Sequence, residues 1–89
     1  MNKPDLRVVA RLIEILYVNG SMKKTYLQMR AGLNYNVFKE YLKWMLERGL
    51  IDRIKDDEGE EKIELTDKGI EAYSRFVAWV KEMMQGLPL

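Results

Sequence analysis

The sequence predicts a mainly helical domain with one small β-hairpin, and three observations carry that expectation. Apolar residues recur every three or four positions in separate stretches, the period of a helix with one buried face. A shorter stretch near Ile63 alternates instead, next to a polar turn containing Gly59. Capping residues and glycines fall between these stretches, where helices begin and end. Eighty-nine residues suit one domain, and a chain 47% hydrophobic and 33% charged has the balance of a globular protein rather than a disordered one.

The elements follow in order. Asn2 or Lys3 is placed to cap a first helix with Pro4 near its first turn, where a missing N–H costs nothing. Leu6, Val9, Leu12, Ile13, Leu16 and Tyr17 form its apolar face, and Asn19-Gly20 stops it. Ser21-Met22-Lys23 suits a brief strand. A second helix runs from Lys24 to about Arg30, with Leu27 and Met29 as core contacts and Gly32 as its end. The third spans Asn34 to Arg48: Asn34 is a good N-cap, Phe38, Leu42 and Met45, joined by Tyr41 and Leu46, face inward, and Gly49 closes it. In Leu50 to Lys55, Ile51 and Ile54 break a period of two, which predicts a bulge or a short strand. Asp56-Asp57-Glu58-Gly59-Glu60 reads as a turn, and Ile63 and Leu65 alternate with Lys62 and Glu64 as a strand with one buried face.

Thr66 caps a last helix that runs to about Gln85 and is closed by Gly86 and Pro88. Ile70, Tyr73, Val77, Val80 and Met84, continued by Leu87, step by three and four as a heptad-like seam. Ala72, Phe76, Trp79 and Met83 form a second stripe beside it. One short domain offers a single core, so the surplus stripe predicts a partner.

Three helices, a hairpin and a final helix in this order specify a winged helix-turn-helix, the hairpin tip being the wing. In that geometry the third helix enters the major groove of double-stranded DNA by its N-terminal half. Removing its core face leaves Tyr35, Asn36, Lys39, Glu40 and Lys43 outward. Asn36 suits bidentate bonding to adenine, Lys39 suits guanine or phosphate, and Lys43 lies one turn on. Tyr35 suits a phosphate contact or a packing role at the helix entry. Lys24, Thr25 and Tyr26 begin the second helix, where N–H groups attract phosphate, and Lys23 and Arg30 add charge. Arg53, Lys55 and Lys62 flank the wing tip. The tip itself is acidic: it either points away from DNA, makes no standard wing contact, or serves a protein partner. Trp44 is expected in the core or an interface.

Charge supports a polyanion partner once it is divided. Residues 1–55 hold eleven Lys or Arg against five Asp or Glu, while 56–89 hold four against nine, so a half at +6 adjoins a half at −5. The chain has no Cys and no His, which removes disulfides, thiol chemistry, the usual zinc sites and histidine-based catalysis. It contains no phosphate-cradling glycine loop and no paired carboxylates that can be placed in a pocket. A non-enzyme without cofactor, metal or evident small-molecule ligand is expected. No apolar run approaches a membrane span, and Met1-Asn2-Lys3-Pro4-Asp5 lacks the order of a secretory signal, so a cytoplasmic protein at the nucleoid is expected.

Gly20-Ser21-Met22-Lys23-Lys24-Thr25, Leu33-Asn34-Tyr35, Tyr41-Leu42, Gly49-Leu50-Ile51 and Leu65-Thr66-Asp67-Lys68-Gly69 together resemble archaeal winged-helix proteins of the Sulfolobus 10a type. The resemblance covers almost the whole chain. It implies a homodimer joined by an antiparallel coiled coil of last helices, and DNA binding in transcription or nucleoid organisation. Residues 1–65 would then be the DNA-binding domain and 66–89 the helix that packs on it and pairs two copies through Ile70, Tyr73, Val77, Val80 and Met84. Abundant Lys, Arg and Glu without Cys fits a thermophilic source. The alternative from another class is a winged helix that binds protein through its acidic wing and does not bind DNA.

Overall fold

The computed structural model describes residues 3–86. In chain order it holds α1 (Leu6–Asn19), α2 (Lys24–Ala31), α3 (Tyr35–Glu47), β1 (Ile51–Lys55), β2 (Glu61–Leu65) and α4 (Asp67–Gln85). This is a winged helix-turn-helix, with the three helices expected before the hairpin and one after it.

The core follows from which faces can be buried together. Val9, Leu12, Ile13 and Leu16 of α1 meet Leu27 and Ala31 of α2, and Phe38, Leu42 and Met45 of α3 close over them. The hairpin contributes Ile51 and Ile63 from the two strands, and Ile63 is wholly buried. No buried side-chain polar atom among the described residues lacks a hydrogen-bond partner. The buried residues of the core are all hydrophobic, so burial of hydrocarbon against hydrocarbon is the main cohesive force here.

Several boundaries and faces differ from the sequence reading. The cap of α1 is Asp5, whose Oδ1 accepts from the Arg7 N–H at 2.9 Å, instead of Asn2 or Lys3. Asn2, Leu87 and Pro88 lie outside the described residues. Leu6 and Tyr17 were expected inside and are 71% and 52% exposed, because they lie at the two ends of α1 beside α4 rather than over the core. Met29 is also outside, at 75% exposure: a helix of eight residues has one inward line, and Leu27 and Ala31, four apart, already occupy it.

The hairpin has no bulge. Its register is continuous from Ile51 opposite Leu65 to Lys55 opposite Glu61. Ile54 falls on the other face from Ile51 and stays half-buried opposite Lys62, which is why the spacing broke a strict period of two. Met22 adds the brief extended contact expected of it, bridging Ile63 through paired backbone bonds of 2.9 and 2.7 Å.

The end of α3 and the start of α4 are fastened together. Gly49, at φ +70°, turns the chain so that its N–H reaches Leu46 O and the Leu50 N–H reaches Met45 O, each at 3.0 Å. Thr66 then clasps this turn: its N–H donates to Leu50 O at 3.1 Å and its Oγ1 donates to Gly49 O at 2.5 Å. The same Oγ1 accepts from the Gly69 N–H at 3.0 Å, capping α4, while Lys68 Nζ donates to Arg48 O at 2.7 Å. Gly69 is buried against the Leu50 carbonyl, where no side chain fits. Beyond this clasp α4 meets α1 through Ala72 and Tyr73, with the Tyr73 ring 4.8 Å from that of Tyr17, and its remaining turns extend a molecule 50 Å long. No helix among the described residues is long and apolar enough to cross a membrane.

Candidate nucleic-acid interface

The edge of α3 is presented by the side chains that anchor its other face. Phe38 and Met45 are almost wholly buried, and the Tyr41 hydroxyl accepts from the Asp5 N–H at 2.9 Å, which ties α3 to the chain entering α1. Asn34 Oδ1 accepts from the Val37 N–H at 2.9 Å, so the entry of α3 is fixed by its own cap. Tyr35, Asn36, Lys39, Glu40 and Lys43 are left exposed.

Five of the expected contact residues line one open cleft. Lys24 from α2, Asn36, Lys39 and Lys43 from α3, and Arg53 from β1 surround it together with Glu40 and Leu42, and its volume is about 560 Å³. Four cations and one amide thus converge between the outer edge of α3, the start of α2 and the wing stem. Such a surface attracts phosphate and carries hydrogen-bonding groups for base edges. Glu40 was not among the expected contacts. Its place one helical turn after Asn36 is the signal that marks it, and a carboxylate there can accept from a cytosine amino group.

Other candidates are placed elsewhere. Arg30 borders a separate hollow with Met22, Tyr26 and Met29. Thr25 and Tyr26 are exposed at the start of α2, and the Tyr35 ring lies under Lys39, with Nζ 5.0 Å from its centroid. Trp44 is half-buried against the core and covered by the Arg48 guanidinium at 4.0 Å, consistent with a packing role.

The wing holds three of the expected DNA cations itself. Lys23 Nζ lies 2.9 Å from Glu60, Lys62 Nζ 3.4 Å from Asp56, and Arg53 Nε 3.7 Å from Glu61. The hydrogen bond to Glu60 raises the Lys23 ammonium above its ordinary pKa. Asp56 also builds the turn: its Oδ1 accepts from the N–H groups of Glu58 and Glu60, both at 2.9 Å. The Glu60 bond is the main reason its carboxyl sits below the ordinary aspartate value. Lys24, Lys39, Lys43, Arg30 and Lys55 make no ion pair among the described residues.

Along α4 the expected seam is unevenly covered. Tyr73, Val77 and Val80 are half-buried, whereas Ile70 and Met84 are 41% and 59% exposed. Of the neighbouring stripe, Phe76, Trp79 and Met83 are exposed as well.

The arrangement of helices, cleft and wing defines a class, and the chain belongs to the winged helix-turn-helix family, whose pattern matches residues 6–84. Among curated proteins nothing matches. Among solved structures it is similar to the PcaV transcriptional regulator of Streptomyces coelicolor in complex with its natural ligand, at 21% identity and a TM-score of 0.75, over 94% of this chain and 60% of that one. It is similar to a variant of MepR from Staphylococcus aureus bound to an oligodeoxyribonucleotide, at 20% identity and a TM-score of 0.78, over 88% and 59%. A MarR family transcriptional regulator from Silicibacter pomeroyi matches at 18% identity and a TM-score of 0.74, over 86% and 53%. The chain therefore spans between 53% and 60% of the length of these proteins, and the likeness is one of fold.

Proposed function

We propose that this protein binds double-stranded DNA as a regulator of transcription or an organiser of the nucleoid, with α3 in the major groove. The observation that carries the reading is the cleft where Lys24, Lys39 and Lys43, which make no ion pair among the described residues, surround Asn36, with the Glu61-paired Arg53 completing its lining. Lysines on the outer edge of α3 supply phosphate affinity, and Asn36 supplies a base contact worth about 1–3 kcal/mol of discrimination. The regulators of like fold, one of them holding an oligodeoxyribonucleotide, support it. A mobility-shift titration on duplex DNA at several salt concentrations tests it: binding that weakens steeply with salt is expected, and no binding at low salt refutes it.

The reading includes a homodimer in the cytoplasm. The likeness to Sulfolobus 10a-type proteins, read from the Leu33-Asn34-Tyr35 and Leu65 to Gly69 segments, implies pairing through the last helix. The exposed apolar residues Phe76, Trp79, Met83 and Met84 support that pairing, with 66–89 as the dimerising segment and Ile70, Tyr73, Val77, Val80 and Met84 as its seam. The alternative of a protein-binding wing has less behind it, because Asp56, Glu60 and Glu61 are engaged by cations of their own domain.

A further inference from the structure

The cations expected around the cleft and the wing divide into two sets. Lys24, Lys39 and Lys43 stand unpaired at the reading edge, whereas Lys23, Arg53 and Lys62 each face a wing carboxylate within 4.0 Å. Each of these three paired cations lies on the hairpin, where a wing would be expected to grip phosphates, or on the residue just before α2. Among the cations expected to meet DNA, the pairing thus falls on those placed for phosphate contacts, which carry no sequence information.

We propose, resting on the DNA-binding reading, that Glu60 and Glu61 are specificity-determining residues that hold Lys23 and Arg53 back from the DNA backbone, lowering affinity for duplex of any sequence. For either cation to neutralise a phosphate it must first leave a carboxylate, and that carboxylate then stands near the phosphate it repels. The cost falls on every duplex alike. Base contacts made by α3 do not bear it, so they form a larger share of the binding that remains. The acidic wing, set against the usual expectation for a DNA-binding hairpin, is on this account the element that suppresses indiscriminate binding.

The test is the Glu60→Gln/Glu61→Gln variant of the full chain, titrated beside the unaltered protein on a random-sequence duplex across a salt series. Each released cation that takes up a phosphate steepens the slope of log affinity against log salt by about 0.9, which is roughly an eightfold gain at 0.1 M relative to 1 M salt. The double variant is expected to steepen the slope by about 1.8 and to bind random duplex tens of times more tightly near 0.1 M salt. A charge-matched control, Glu64→Gln/Glu82→Gln, removes two acids that make no ion pair among the described residues and is expected to leave the slope unchanged. An unaltered slope in the Glu60/Glu61 variant, or an equal change in the control, overturns the proposal while leaving DNA binding intact. Absence of duplex binding by all three proteins overturns the DNA-binding reading and this inference with it.

Discussion

Replacing Gly69 with alanine tests whether the clasp between α3 and α4 is as close as described. Inside a helix this change ordinarily stabilises by about 0.5–1 kcal/mol, because glycine loses more backbone freedom on folding. At position 69 a Cβ would overlap the Leu50 carbonyl oxygen and lie 3.1 Å from Leu65 Cδ2. Restoring ordinary separations near ~3.5 Å requires the start of α4 to retreat by about 1 Å. Such a retreat takes the Thr66 bonds to Leu50 O and Gly49 O, now 3.1 and 2.5 Å, out of or to the limit of hydrogen-bonding range, and loosens Lys68 on Arg48 O. At about 0.5–1.5 kcal/mol each, the three bonds outweigh the propensity gain and leave a net loss of about 2 kcal/mol. A domain of this size then melts roughly 10 °C lower. Thermal and urea unfolding followed by circular dichroism measure it, with Lys68→Ala as a milder companion that breaks one bond without overlap. A Gly69→Ala protein as stable as the parent, or more so, refutes the reasoning.

The other expectations concern the site and the seam. Lys39→Ala and Lys43→Ala should each flatten the salt dependence of DNA binding by about 0.9 in log–log slope, with unfolding midpoints unchanged. Asp56 has a folded pKa below its ordinary 3.8, so its support of the wing turn is full above that value and is lost as pH falls through the lowered one. Protection of the Glu58 and Glu60 amides from exchange, relative to their intrinsic rates at each pH, should accordingly fall only in strong acid, and a loss of protection already at pH 6 would contradict the assignment. Val77→Glu with Val80→Glu should convert a dimer to monomers in light scattering, and a persisting dimer would remove the α4 seam as the interface.

How much of this was legible depended on the range of the interaction concerned. The limits of α3 could be read because Asn34 and Gly49 act on backbone within a turn of themselves. The inward line of α1 could be read through Val9, Leu12, Ile13 and Leu16, since helical period alone sets it. Leu6, Tyr17 and Met29 were misplaced because period identifies a face without saying how far the neighbouring elements cover it. The exposed edge of α3 was visible by subtraction, yet the cleft that adds Lys24 and Arg53 to it depends on how α2 and β1 dock. The wing pairs were hidden for a similar reason. Lys23 and Glu60 are distant in sequence, and composition shows only that both charges exist. The Thr66 and Lys68 bonds end on backbone carbonyls, which carry no residue-specific signal.

The clasp has a mechanical consequence. From Gly69 to Met84 the helix rises about 22 Å at 1.5 Å per residue, so a pivot of 10° at Thr66 carries the far end through about 4 Å. In the proposed pair of molecules joined along this arm, the same pivot would alter the separation of the two α3 edges, which for binding across two half-sites would have to match a DNA repeat of about 34 Å. The joint has little slack, since a hydroxyl, an ammonium and a glycine without room for a methyl all bear on residues 48–50. In the proposed dimer, the spacing of the two edges would accordingly be set where α4 is hinged, at the foot of the arm rather than along its apolar length.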